Sequence, residues 1–332
     1  MDHFSYFQKE LTNQFEFDFL GHLHALDTQM GTDYLDMNQD SLEFFIKNKT
    51  SNMYLDYLKE DDNGYKAWIN MVLSTYHYYK HHQKRFQLTP DITNMLLQTD
   101  MKDVHVAFVR LPFPSIYLEL PKGMLKGETN GQEYEVEGVY VHQYNLKPID
   151  KKTIERHLGK GIVSYLQLGI VLKNNEEYQY GIVHLRFKNG NIVEQLQENY
   201  KRASLQFEEI ANDIFSLVLN TLFYIQSDKS DMEYIEERPL ILLNKPKNHT
   251  PKKGHYKVGR KVIINSSLKK KLKQYEKSPL KAEQNYKWLV RGHWRNQPIG
   301  KGRKERKMIW IEPYLKGNTE DDLIHREYEV KK

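Results

Sequence analysis

The stretch from Lys245 to Lys307 holds 21 lysines and arginines against three acids, Glu276, Glu283 and Glu305, a balance of about +18. Charge at that density cannot be folded into an apolar interior, because each ion moved out of water without a partner costs several kcal/mol. The whole chain carries only +5, so everything outside this stretch stands at about −13. Charge divided this way points to a polyanionic partner, nucleic acid or a membrane surface. The longest apolar stretch, Ile214 to Ile225, is broken by Ser216, Asn220 and Thr221 and is too short to span a bilayer. The expectation is therefore RNA or another nucleic acid, with no membrane. A solvated basic surface, or a basic face for an acidic protein, are the competing readings.

Several chemistries are excluded at once. There is no cysteine, which removes disulfides, thiolate zinc sites and a cysteine nucleophile. The start, Met1 to Phe19, is acidic and lacks an unbroken apolar core, so a cytoplasmic protein is expected. There is no phosphate-binding P-loop and no dinucleotide glycine fingerprint, and no cofactor is expected.

The predicted fold class is α+β, with an N-terminal helical region, a central mostly antiparallel sheet with a covering helix, and a small basic C-terminal α/β module. Residues 1–100 read as helical. Ser41 would cap a helix beginning at Leu42, and Tyr65 to Phe86 carries Trp68, Ile69, Val72, Leu73, Tyr76 and Tyr79 at spacings of three and four. Thr89-Pro90 restarts a short helix. Residues 101–227 read as sheet plus helix. Strands are expected at Val104–Val109, Ser115–Leu120, Glu135–Tyr144, Ser164–Leu172 and Tyr178–Phe187, with a hairpin turn at Asn174-Asn175. Phe207 to Ile225 gives one apolar face, with Asn212 and Asp213 opposite. Residues 228–256 read as a basic linker. Residues 257–332 form the basic module: a strand at Lys257–Asn265, a lysine-bearing helix after Ser266, then strands at Tyr286–His293 and Met308–Glu312.

Candidate site residues concentrate in that module. Lys301, Arg303, Lys304, Arg306 and Lys307 lie in an expected loop with Gly300 and Gly302, which would let the backbone approach phosphates, while guanidinium forks match phosphate oxygens. Lys269, Lys270 and Lys273 add charge from the helix. Trp288, Trp294 and Trp310 supply the flat faces on which single-stranded bases stack. Trp288 and Trp310 read better as core, and Trp294 as the stacking candidate. Arg291, His293 and Arg295 alternate along a strand and so share a face. A histidine between arginines beside a phosphate is also what a metal-independent ribonuclease uses, with His293 as acid or base.

These residues also carry a resemblance. Arg-Gly-His-Trp-Arg-x-Gln at 291–297, a basic glycine loop, then Ile-Trp-Ile-x-Pro-x-x-x-Gly at 309–317 resemble the C-terminal signature of a family carried by phages, plasmids and other mobile elements. That family includes a type V-A anti-CRISPR protein. The Leu111–Leu120 segment is similar to a proline-rich strand pair in the same family. The resemblance implies an anti-defence or regulatory role at the level of messenger RNA, with the ribosome or a host defence component as partner. By motif match it would use Arg291, His293, Trp294, Arg295, Trp310 and Pro313.

Weaker patterns are read as structural. His77 and His81 have a metal-ligand spacing on a helix, but no acid lies within a turn, and Lys80 and Lys84 crowd them. His22, His24 and Asp27 would converge only in extended chain. Glu119 and Lys122 are spaced one residue too far apart for the metal-nuclease pattern. No metal site is expected.

Overall fold

The computed structural model describes residues 2–29, 42, 62–129, 132–147, 149, 151–175, 177–202, 208–236, 254–260 and 287–317. In chain order the elements are α1 (His3–Phe15), α2 (Phe19–Gln29), α3 (Asp62–Lys80), β1 (Arg85–Leu88), α4 (Pro90–Leu97), β2 (Thr99–Asp100), β3 (Ser115–Glu119), β4 (Lys126–Thr129), β5 (Gln132–Gln143), α5 (Lys151–His157), β6 (Ile162–Asn174), β7 (Glu177–Lys188), α6 (Ile192–Arg202), α7 (Glu208–Ile225), β8 (Met232–Glu236), β9 (Gly254–Val258), β10 (Lys287–Val290), β11 (Gly292–Ile299), β12 (Glu305–Ile311) and β13 (Tyr314–Gly317). The class is α+β, as predicted. The caps expected at Ser41 and Ser266, and the lysine helix after Ser266, lie outside the described residues.

One sheet organises the molecule. Its strand order is β7-β6-β5-β3-β1-β9-β8, with β4 on β5. The long strands β5, β6 and β7 are antiparallel neighbours, and Asn174 faces Glu177 across the expected hairpin, with Asn175 in the left-handed region at φ 53°. β1 runs parallel to both β3 and β9, so the sheet is mixed rather than simply antiparallel. The expected division at residue 257 falls inside β9, which pairs residue by residue with β1 from Arg85–His255 to Leu88–Val258.

Alternation along the strands sends side chains to two different cores. Tyr117, Tyr140 and Val171 face one way and pack with Phe4, Phe7, Leu11, Phe19, Ile69, Val72 and Tyr76 of α1, α2 and α3. Ile116, Leu118, Val139, Val141, Leu166 and Leu168 face the other way and pack with α4, α7, Trp294 and Trp310. The result is helices, sheet, then helices with a hairpin. α7 is the covering helix its periodicity predicts: Ile214, Leu217, Val218 and Leu222 are buried and Asn212 and Asp213 exposed. No described helix is long and apolar enough to cross a membrane.

Three local expectations are corrected. Val104–Val109 is not a strand but a tight turn with a short 3-10 helix, Val106–Phe108. Val104, Val106 and Val109 are all buried, so the alternation that suggested a strand reflects inward side chains on a turn. The long helix ends at Lys80, and Phe86, read as its continuation, belongs to β1. Thr89 precedes α4 as expected, but its hydroxyl donates to the Gly259 carbonyl (2.9 Å) instead of capping the helix.

Candidate polyanion-binding face

The basic segment read as a loop is largely strand. β11 and β12 pair from His293–Ile311 to Ile299–Glu305, and only Gly300–Lys304 forms the tip. Cross-strand partners share a face, so Trp294 and Trp310 stand together on one side of the ribbon, and His293, Arg295, Gln297 and Lys307 stand on the other.

The tryptophan side is a fastener. Trp294 and Trp310 are each 1% exposed, 6.3 Å apart by ring centroids and 30° from parallel. Phe223 and Tyr224 of α7 meet them edge-on. Both indole N–H groups are satisfied. Trp294 Nε1 donates to Asn220 Oδ1 (2.7 Å), and Trp310 Nε1 donates to Thr99 Oγ1 (3.2 Å). Asn220 Nδ2 in turn donates to the carbonyls of Leu96 (2.9 Å) and Thr99 (3.0 Å). Three elements, α4, α7 and the ribbon, are thus tied through one buried amide. Gly292 is needed beside this knot, because a Cβ there would lie 2.7 Å from Thr99 Oγ1 and 2.9 Å from the Pro313 ring.

Trp294 is therefore corrected as a base-stacking residue: its rings are covered on the core side and no nucleobase reaches them. Trp310 is core, as read. The side chain of Trp288, and Lys269, Lys270 and Lys273, lie outside the described residues.

Arg295 and Lys307 sit on the opposite side, Lys301, Arg303 and Lys304 at the tip, Arg306 beside the tip on the tryptophan side, and Arg291 just before β11. Arg291, Arg295, Lys301, Arg303, Lys304 and Arg306 are exposed, and Lys307 is half-buried. From Arg291 to Lys307 these seven cations face one carboxylate, Glu305. Lys307 pairs with Asp228. Arg306 and Lys307 form one wall of an open cleft of about 360 Å³, with Arg110, Phe108 and Gln226 opposite. Arg291 lies at a second cleft of about 390 Å³, beside Asp100, Lys102, Gln197 and Asn212. Short parallel pairing with β2 sets His293 next to Asp100, whose carboxylate is held by Lys102 at 2.8 Å.

His293 itself is half-buried, and its Nδ1 lies 3.4 Å from the Arg291 carbonyl. Arg291 belongs to the second cleft, while Arg295 stands on the open strand face. Arg291 lies between β10 and β11, so only His293 and Arg295 alternate along the strand, and the three side chains do not line one enclosed cavity.

On the far side of the sheet, three histidines meet. His77 of α3 and His81, in the turn that closes it, lie against His142 of β5, with their ligand nitrogens within 4.8 Å of one another. Nothing in the spacing of residues 77 and 81 signals the third, which arrives from a strand more than sixty residues away. His22, His24 and Asp27 do not assemble. Asp27 instead accepts from the Tyr76 hydroxyl (2.5 Å) and pairs with Lys80 (2.7 Å), while the His22 ring is bonded to the Asp18 carbonyl (2.8 Å).

The sequence profile of the AcrVA2-like family, described as anti-CRISPR type V subtype A2, matches residues 86–317. No curated protein matches. Among solved chains, the crystal structure of AcrVA2 is similar at 17% identity, covering 78% of this chain and 82% of that one, with a TM-score of 0.44.

Proposed function

This chain belongs to the AcrVA2-like anti-CRISPR family, and from that premise we propose that it counters a type V-A CRISPR defence by gripping RNA, or a ribonucleoprotein, on its basic ribbon. One observation carries the reading. Arg295, Lys301, Arg303, Lys304 and Arg306, with Glu305 the one carboxylate of the run, are exposed on a two-stranded ribbon that is fixed to the body by two buried indoles. A fixed array binds with little ordering cost, because the side-chain bases are already positioned. Arg295, Lys301, Arg303 and Lys304 track a backbone by charge. Sequence-specific stacking is not expected from the ribbon, since its tryptophans face inward.

In this reading the target is a host defence component, or the messenger RNA that encodes it; membership of an anti-CRISPR family supports the first. The one hydrogen bond of His293 that bears on the cleavage reading, from its ring to the Arg291 carbonyl at 3.4 Å, lends it no support.

The test is a salt series with single-stranded RNA. Each phosphate contact contributes a slope of roughly 0.7 to log K against log salt. Replacing Arg295, Arg303 and Lys304 with alanine together is expected to lower that slope by about two and weaken binding at low salt, with circular dichroism unchanged. Equal slopes for the triple variant and the wild type would sink the proposal. Retained RNA affinity at high salt would point instead to contacts away from the ribbon.

A further inference from the structure

We propose that His77, His81 and His142 form a binding site for a divalent first-row transition-metal ion, zinc foremost. The site lies on the opposite face of the sheet from the basic ribbon and stands independently of the RNA reading.

α3 supplies His77, and the turn that continues its last coil supplies His81, whose backbone N–H donates to the His77 carbonyl (3.1 Å). Residues four apart lie one above the other on a helix face, and this pattern, His77 and His81, begins in a longer polar stripe. Asn70 and Ser74 precede them at the same rhythm, and Gln167 Nε2 of β6 donates to the Asn70 carbonyl (3.1 Å) and to Ser74 Oγ (2.8 Å). The seam is tight. A Cβ at Gly169 would lie 2.9 Å from Ser74 Oγ.

The sheet supplies the third ligand. His142 is the register partner of Gln167 on one side and of Ser115 on the other, so all three project toward α3. The His142 ring lies 3.7 Å from the His77 ring, 6° from parallel, and 5.9 Å from the His81 ring. His142 and His77 are 2% and 0% exposed, whereas His81 is half-buried and opens the site to solvent.

The objection raised by sequence neighbours is met in the fold. The Lys80 ammonium is drawn to Asp27 at 2.7 Å, on the α2 side of the helix. Ser115 Oγ is fully buried and has no hydrogen-bond partner among the described residues. It sits across from His142, where a second-shell hydroxyl or a metal-bound water has a use for it.

Three imidazoles and an open fourth position suit zinc, and imidazole also suits copper, nickel and cobalt. Ligand nitrogens around a tetrahedral zinc stand about 3.4 Å apart, from bonds of about 2.0–2.1 Å. Closing from separations within 4.8 Å requires the His77 and His142 rings to turn from face-to-face to edge-on.

The test uses the full chain after chelator treatment. Titration with zinc chloride should show one tight site per chain and raise Tm. The imidazole nitrogen resonances of His77, His81 and His142 in the wild type should shift together at one equivalent, a readout that needs no substitution. His81→Ala, at the rim, should weaken binding by more than about tenfold, the scale of even outer-shell losses, and lose the rise in Tm. His82→Ala, exposed beside it, should keep both. The proposal is overturned if the three resonances stay in place while exposed histidines shift, if no tight site is found, or if His81→Ala binds as the wild type does.

Discussion

The two faces of the central sheet are built on opposite plans. On one, a ribbon drawn from a single short run of chain buries its tryptophans and displays its charge. On the other, a histidine cluster is collected from α3 and β5 and displays almost nothing. The ribbon's composition announces what it presents to solvent, because like charges at high density can only face outward. The cluster announces nothing until strand register and helix packing are known. Local sequence therefore reports surfaces better than it reports buried polar sites.

Four measurements would break or sharpen that contrast. The largest effect is expected at the fastener. Trp294→Ala should cost about 3–5 kcal/mol in chemical denaturation, by leaving a cavity and stripping Asn220 of a partner. A loss under about 1 kcal/mol would mean the ribbon is not held by its indoles.

Next comes acid sensitivity, which belongs to the histidine-bearing face. Burial, opposed by Asp2 and aided by Lys173, pulls the pKa of His3 from 6.5 to about 3. Below pH 6.5 the unfolded chain binds the proton and the folded chain does not. Stability is thus complete above that pH and drains away toward pH 3, by roughly 3–4 kcal/mol for this residue. His3→Gln should flatten the urea stability profile across that window. An unchanged slope would remove His3 as its source.

Asn220→Ala comes third, at about 2 kcal/mol, because the Trp294 N–H and the Leu96 and Thr99 carbonyls lose their shared partner in the interior. Smallest is Lys301→Ala, exposed at the ribbon tip, which should change stability by less than about 0.5 kcal/mol while still weakening RNA binding. If Lys301→Ala destabilised the protein as much as Asn220→Ala, the division between fastener and display would fail.

Much of the fold was legible. The α7 stripe, the β5 to β7 strands with their Asn174 turn and the Thr89-Pro90 helix start each follow from period or turn chemistry acting over a few residues. Errors arose where tertiary context chose between equal local readings. Three valines at 104, 106 and 109 point inward from a turn as well as from a strand. Glycines and cations at 298–307 suggested a loop, yet the pairing of β11 with β12 carries through most of it. Alternation divides residues 293–295 between two faces, but could not say which face the body would cover. That choice rests on Asn220 and Thr99, distant in sequence. The parallel insertion of β9 was equally hidden, since the preceding residues carry no strand signal.

That insertion has a consequence for how the molecule is made. β1 lies between β3, which follows it closely, and β9, which is synthesised some 170 residues later; Arg85 meets His255 across that gap. Until Val258 has left the ribosome, Phe86 and Leu88 have one open backbone flank, and such an edge invites pairing with other chains. Nascent chains arrested at residue 236 should accordingly remain protease-sensitive around β1, with protection appearing only once residues 254–258 are free to dock.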